Sequence, residues 1–258
     1  MPTAKLAALR LIVLVLVMGA SAAGAETMDC APITALPAVV TVQGVYCFTG
    51  NLAIDVTSGN AIEIQTNNVV LDLNGFKLGN LAAGPGGRGI FASDRQNITI
   101  KNGTIRGFGV GVLLLGFGSQ RHIVEDIRVD QSTSTGIHVD GDSVIVRNNQ
   151  VVGTRGVDLF GPDANGIGIF VSGTDPRVLN NDVINTGKQG AGVATGIYLS
   201  LVVGGLVINN RVTGADVGIR YDPFLSSTLG SGKYRDNLTF DVITPFLPGH
   251  AVDAGNNN

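Results

Sequence analysis

The chain has 258 residues, a formal net charge of −3, only 14% charged residues, 37 glycines and no tryptophan. That balance gives no basic footprint for nucleic acid. The residues after the first twenty-five show no sustained 3.6-residue periodicity, which excludes a helical bundle. The length suits one elongated domain, and no linker or composition break divides it.

At the start, Lys5 and Arg10 precede an apolar run, Leu11 to Met18, and then small residues ending Ala23-Gly24-Ala25. This order reads as a secretory signal peptide over residues 1–25. The run is short for a bilayer span, so no transmembrane segment is expected in the mature chain. The protein is expected to be secreted or periplasmic. In such a compartment Cys30 and Cys47 read as a disulfide. With Pro32 and Pro37 they belong to an expected N-terminal cap, residues 26–59.

From residue 60 onward one unit recurs. Its clearest copy is Gly136-Ile137-His138-Val139-Asp140, then Val144 to Arg147, an Asn148-Asn149 bend, and Gln150-Val151-Val152. Strict alternation sends Ile137 and Val139 one way and His138 and Asp140 the other, the period of a half-buried strand. The opening recurs at Ala61-Ile62, Gly89-Ile90, Gly111-Val112, Gly168-Ile169, Gly196-Ile197 and Gly218-Ile219, at spacings of roughly 22 to 32 residues. The bend recurs at Asn102, Asp126, Asn148, Asn180, Asn209 and Asp236, with Leu73 in the first copy. Asn tolerates left-handed turns, and its side chain can bond neighbouring coils. One coil cannot bury its apolar face, whereas stacked coils share a core. The expected fold is all-β: a single-stranded parallel solenoid of about seven coils over residues 60–245, followed by a loose tail, 246–258.

These Gly-Ile openings, and the Asn steps in Val146-Arg147-Asn148-Asn149, Val178-Leu179-Asn180-Asn181 and Val207-Ile208-Asn209-Asn210, carry a resemblance. The chain resembles the right-handed parallel β-helix of the pectate-lyase-like superfamily, from about Asn60 to Phe240. In that superfamily the substrate cleft runs over the first sheet and is walled by the longer loops, which here are Leu78–Gly89, Gly153–Gly166 and Asn185–Gly196.

Alternation maps that sheet. Its outward column reads Glu63, Phe91, Leu113, His138, Phe170, Tyr198, Arg220, and the next reads Gln65, Ser93, Leu115, Asp140, Ser172, Ser200, Asp222. His138, Asp140, Arg220 and Asp222 are the catalytic candidates, with a His or carboxylate to abstract a proton and an Arg to neutralise a sugar carboxylate. Asp142 could join them from the following turn. Phe91, Phe170 and Tyr198, with Asp158 and Asp163 from the second loop, are the substrate-binding candidates. The opposite outward column, Asp72, Lys101, Glu125, Arg147, alternates in sign and reads as a solvated face. The resemblance implies a polysaccharide partner and a lyase or epimerase of acidic glycans. The alternative is a non-catalytic glycan-binding or cell-envelope protein, because the polygalacturonase motif set is missing and Asp222-Pro223-Phe224 departs from an Asp-Pro-His signature. Ca2+ is a candidate cofactor, but no carboxylate cluster is dense enough to mark a metal site. Three sequons, at Asn97, Asn102 and Asn237, read as structural, and the oligomeric state is left open.

Overall fold

A computed structural model describes residues 30–82, 86–157, 163–222 and 232–258. The expected leader, Asp158, Pro223 and Phe224 lie outside these described residues. Every described element is a strand, and every pairing between named strands is parallel. The chain coils through three sheets, and each coil lies in register on the one before.

The first sheet holds the strand openings. Ile62, Ile90, Val112, Ile137, Ile169, Ile197 and Ile219 pair in succession and are no more than 1% exposed. From Gly89 onward the residue before each apolar one is a glycine and allows close approach, whereas the first copy carries Ala61 there. A Cβ on Gly136 would lie 2.6 Å from the carbonyl oxygen of Gly168, and one on Gly168 would lie 2.6 Å from that of Gly196. Ordinary contact distances forbid both, so Gly136 and Gly168 need hydrogen at this position.

The solenoid has one rung more at each end of the first sheet than the repeat indicated. Ala38–Val40 pairs with Asn60–Ile64, and residues 242–247 pair with 215–220. In these rungs Pro37-Ala38 and Pro245-Phe246 stand in place of Gly-Ile, which hid them from a search for the repeat. The described part of the cap segment is thus itself coiled, with Cys30 and Cys47 joined and their Cα atoms 5.8 Å apart. In the tail, Val252–Asp253 pairs with Lys233–Tyr234, and Asn258 bonds back to Thr239 and Asn237.

Each corner of the coil is a left-handed residue. The expected bend column, Asn102, Asp126, Asn148, Asn180, Asn209 and Asp236, has φ between 52° and 57°. In the first copy Leu73 is fully buried and Asn74 takes the turn instead. Two further left-handed columns went unread. One passes through Asn97, Arg121, Ser143 and Asp175, the other through Gly107, Gln131, Gly153 and Asn185.

The internal ladder is also one residue later than the bend. Asn149, Asn181, Asn210 and Asn237 are at most 2% exposed. Each side-chain Oδ1 accepts the backbone N–H of the coil before it, from Asn149 N–H to Asn181 (3.0 Å), Asn181 to Asn210 (2.9 Å), and Asn210 to Asn237 (3.0 Å). Each Nδ2 donates to a carbonyl, such as Val146 or Val178, at 2.9 Å. The bend asparagines bond only along the surface, Asn180 to Asn148 at 3.3 Å and Asn209 to Asn180 at 2.8 Å. Asn237 is therefore a ladder rung, which removes its sequon from the surface.

Candidate functional site

The outward columns fall where alternation puts them. Glu63, Phe91, Leu113, His138, Phe170, Tyr198 and Arg220 are successive register partners across the first sheet. From His138 onward they touch. The His138 and Phe170 rings are 4.3 Å apart, Phe170 meets Tyr198 edge-on at 5.2 Å, and the Arg220 guanidinium lies 4.8 Å from the Tyr198 ring centre. At the other end Arg88 lies 5.0 Å over Phe91. Offset and edge-on rings with cations over their faces are attractive arrangements, and they hold half-buried rings in one outward strip.

The neighbouring column holds the charges. Asp140 Oδ1 accepts from His138 Nε2 at 3.0 Å and from Ser172 Oγ at 2.7 Å. Burial works against the Asp140 charge, but those two hydrogen bonds and the imidazole hold its carboxyl below the usual carboxylate range. Asp222 takes two bonds from Arg220, both at 2.8 Å, and a third from the Tyr198 hydroxyl. Burial again opposes the charge, and Arg220 and Tyr198 bring the Asp222 pKa down on balance. Burial and the Asp222 contact push the Tyr198 hydroxyl up.

The four catalytic candidates thus form two separate clusters. Asp140 and Asp222 are three strands apart, about 14 Å at the usual strand spacing. That exceeds the roughly 5–9.5 Å over which two carboxyl groups flank one glycosidic bond. Ser172, not assigned from sequence, bonds to Asp140 and not to His138, so the three do not form a serine nucleophile relay.

The described parts of the Gly153–Gly166 and Asn185–Gly196 loops pair through an antiparallel bridge, Ala164 to Gln189. Asp163 is spent within them, its Oδ1 accepting the Ala191 N–H at 2.6 Å, and Asn165 holds Val193 at 2.7 Å. Asp163 therefore ties one loop to the other at the rim of a cleft of about 730 Å3, which Arg88, Ser134 and Thr135 also line. Arg88 joins this cleft to the ring strip and was missed, because a single Arg before a Gly-Ile opening looks like any exposed residue. On the opposite column, Lys101 pairs with Asp72 at 3.5 Å and Arg147 with Glu125 at 2.7 Å, as sign alternation requires. Among the described residues no three His, Cys, Asp or Glu side chains come together to hold a metal ion. No helix among them is long and apolar enough to cross a membrane.

Comparison with curated proteins finds no match. Solved structures that match this chain include the catalytic domain of a GH87 alpha-1,3-glucanase in complex with nigerose, at 11% identity and a TM-score of 0.39. The match covers 88% of this chain and 63% of that one. Two Asp-to-Ala variants of that catalytic domain match with the same coverage, at 12% and 11% identity and TM-scores of 0.40 and 0.39. The present chain spans less than two thirds of their length. The family model of the right-handed β-helix region matches residues 39–212. With that match over most of the chain, and with parallel register running from coil to coil, the chain belongs to the right-handed β-helix family.

Proposed function

We propose that this is an exported protein whose first sheet binds a polysaccharide chain. The observation that carries the reading is the unbroken ladder of His138, Phe170, Tyr198 and Arg220, with a parallel row of hydrogen-bonding groups beside it. Sugar C–H faces stack on aromatic rings, while hydroxyls need polar partners alongside. The disulfide supports export, since such bonds persist in oxidising compartments.

The second reading is a lyase or epimerase, and one observation favours it. Asp140 is kept ionised beside the ring ladder, where a proton acceptor would sit. Against it, the Arg220 guanidinium is already bonded twice to Asp222, so it does not stand ready for a uronate carboxylate.

A polysaccharide panel tests both readings, scored for binding, for unsaturated uronates by ultraviolet absorbance, and for reducing ends. The expected result is binding without product, lost in a Phe170→Ala, Tyr198→Ala double variant. Absence of binding to any member would sink the platform. Product formation abolished by His138→Ala with Asp140→Ala would establish the catalytic reading in its place.

A further inference from the structure

We infer that the glycan carried by the first sheet is not anionic, and that a pocket lipped by Phe117 and Leu201 beside Asp140 and Asp142 selects it. This rests on the first sheet being the glycan platform. The pocket lies where first-sheet strands turn out of the sheet, and encloses about 460 Å3.

The first argument is charge. The ionisable groups on the strip and lining this pocket include the carboxylates Glu63, Asp140, Asp142 and Asp222 against Arg88, Arg220 and His138, with Asp94 and Arg95 on the coil before, and Arg121, whose N–H bonds the Asp142 carbonyl at 2.8 Å, on the neighbouring turn. Arg220 is held by Asp222 and His138 by Asp140. Arg88 lies over Phe91, bonds Asn60 at 3.3 Å and shares its field with Glu63. A uronate arriving at Asp140 or Asp142 would meet two carboxyl side chains lining the same pocket. At contact distance each such encounter costs about fivefold in affinity even at the dielectric of water. A hydroxyl meets the same oxygens as a donor and is welcomed.

The second argument is that folding gives no reason for the lips. Phe117 is wholly exposed, at 112% of its reference area, on a turn held by Ser119 N–H to Gly116 (3.1 Å), Ser119 Oγ to Leu115 (2.7 Å) and Gly118 N–H to Asp94 (3.3 Å). Leu201 is 49% exposed with φ of 57°, where the strands Gly166–Thr174 and Ala194–Val203 slip register after Ser172. A leucine in that conformation is strained, and a phenyl in water buries nothing. Between them sit the acceptors Asp140 and Asp142 and the hydroxyls of Ser119 and Ser172. Apolar edges around a few convergent polar groups suit a pyranose, with C–H faces on the lips and hydroxyls on the carboxylates.

Calorimetric titration of the full chain with matched oligomers of a neutral glucan, a polygalacturonate and a chitosan tests this. The neutral glucan should bind with affinity unchanged by added salt, the chitosan at least as tightly, and the polygalacturonate at least about tenfold more weakly than the neutral glucan. Phe117→Ala should weaken the neutral glucan by about tenfold with no change in thermal midpoint. Asp142→Asn should strengthen the polygalacturonate by about fivefold. Binding of the polygalacturonate as tight as or tighter than that of the neutral glucan would overturn this inference and leave the platform standing. So would full neutral-glucan affinity in Phe117→Ala. Binding of none of the three would overturn the platform and this inference together.

Discussion

Replacing Asn181 by leucine tests what holds the coils together. Asn181 is 1% exposed, and its amide serves two neighbours at once. Its Oδ1 accepts from the backbone N–H and the Nδ2 of Asn149, both at 3.0 Å. Its Nδ2 donates to the Val146 carbonyl at 2.9 Å and to Asn210 Oδ1 at 3.0 Å. Leucine is of comparable size but can satisfy none of them. The Asn149 N–H loses its partner outright, while the Asn149 amide, the Val146 carbonyl and Asn210 each lose one. A buried group left without its partner costs about 1–3 kcal/mol, so the total should reach about 3–6 kcal/mol. For a chain of this size that lowers the thermal midpoint by roughly 10 °C or more. Melting followed by circular dichroism, at several scan rates, reads the shift. A midpoint within about 2 °C of the unaltered protein would show that the buried ladder contributes little, and would refute the reasoning.

Asn148→Leu, at the adjacent bend, should cost only about 1–2 kcal/mol for its left-handed φ of 56°, and a larger loss than that of Asn181→Leu would reverse the assignment of the ladder. Gly168→Ala places a Cβ 2.4 Å from Val183 Cγ1 and 2.6 Å from the Gly196 carbonyl, so destabilisation of about 1–3 kcal/mol by overpacking is expected in urea titration. His122 is fully buried, accepts the Ile98 N–H on Nδ1 at 3.3 Å, and burial lowers its pKa from 6.5 to about 4. The folded state therefore holds it neutral while the unfolded chain takes up its proton near pH 6.5. Its contribution is intact above that pH and is lost as pH falls towards 4, up to about 3 kcal/mol. Stability measured across this window should slope downwards with acid, and His122→Leu should flatten the slope.

Much of this molecule is written in a local period. Alternation alone assigns Ile137 to the core and His138 to the surface, because successive strand side chains must point to opposite faces. The recurring Gly-Ile opening then gives the coil, since a lone strand with one apolar face has nothing to bury it against. From these two rules come the interior column, the ring strip and the charge-alternating face from Asp72 to Arg147.

Other features depend on how the coils lie against one another. Asn148 and Asn149 are the same residue type side by side. The left-handed turn at Asn148 breaks the alternation, so the face of Asn149 cannot be counted through it. Only the stack shows that Asn149 bonds a coil 32 residues away. The remaining corners escape a motif search because residues as unlike as Asn97, Arg121 and Ser143 all adopt positive φ. What they share is a place in the coil. The same holds for the site. Asp140 and Asp222 are both outward carboxylates two residues after a basic side chain, and sequence treats them alike. Register gives Asp140 the hydroxyl of Ser172 and gives Asp222 that of Tyr198, and it sets the two clusters three strands apart. A period fixes the direction in which a side chain points, a property of a few consecutive bonds. Its partners come from other coils, and only the packing of the whole solenoid selects them.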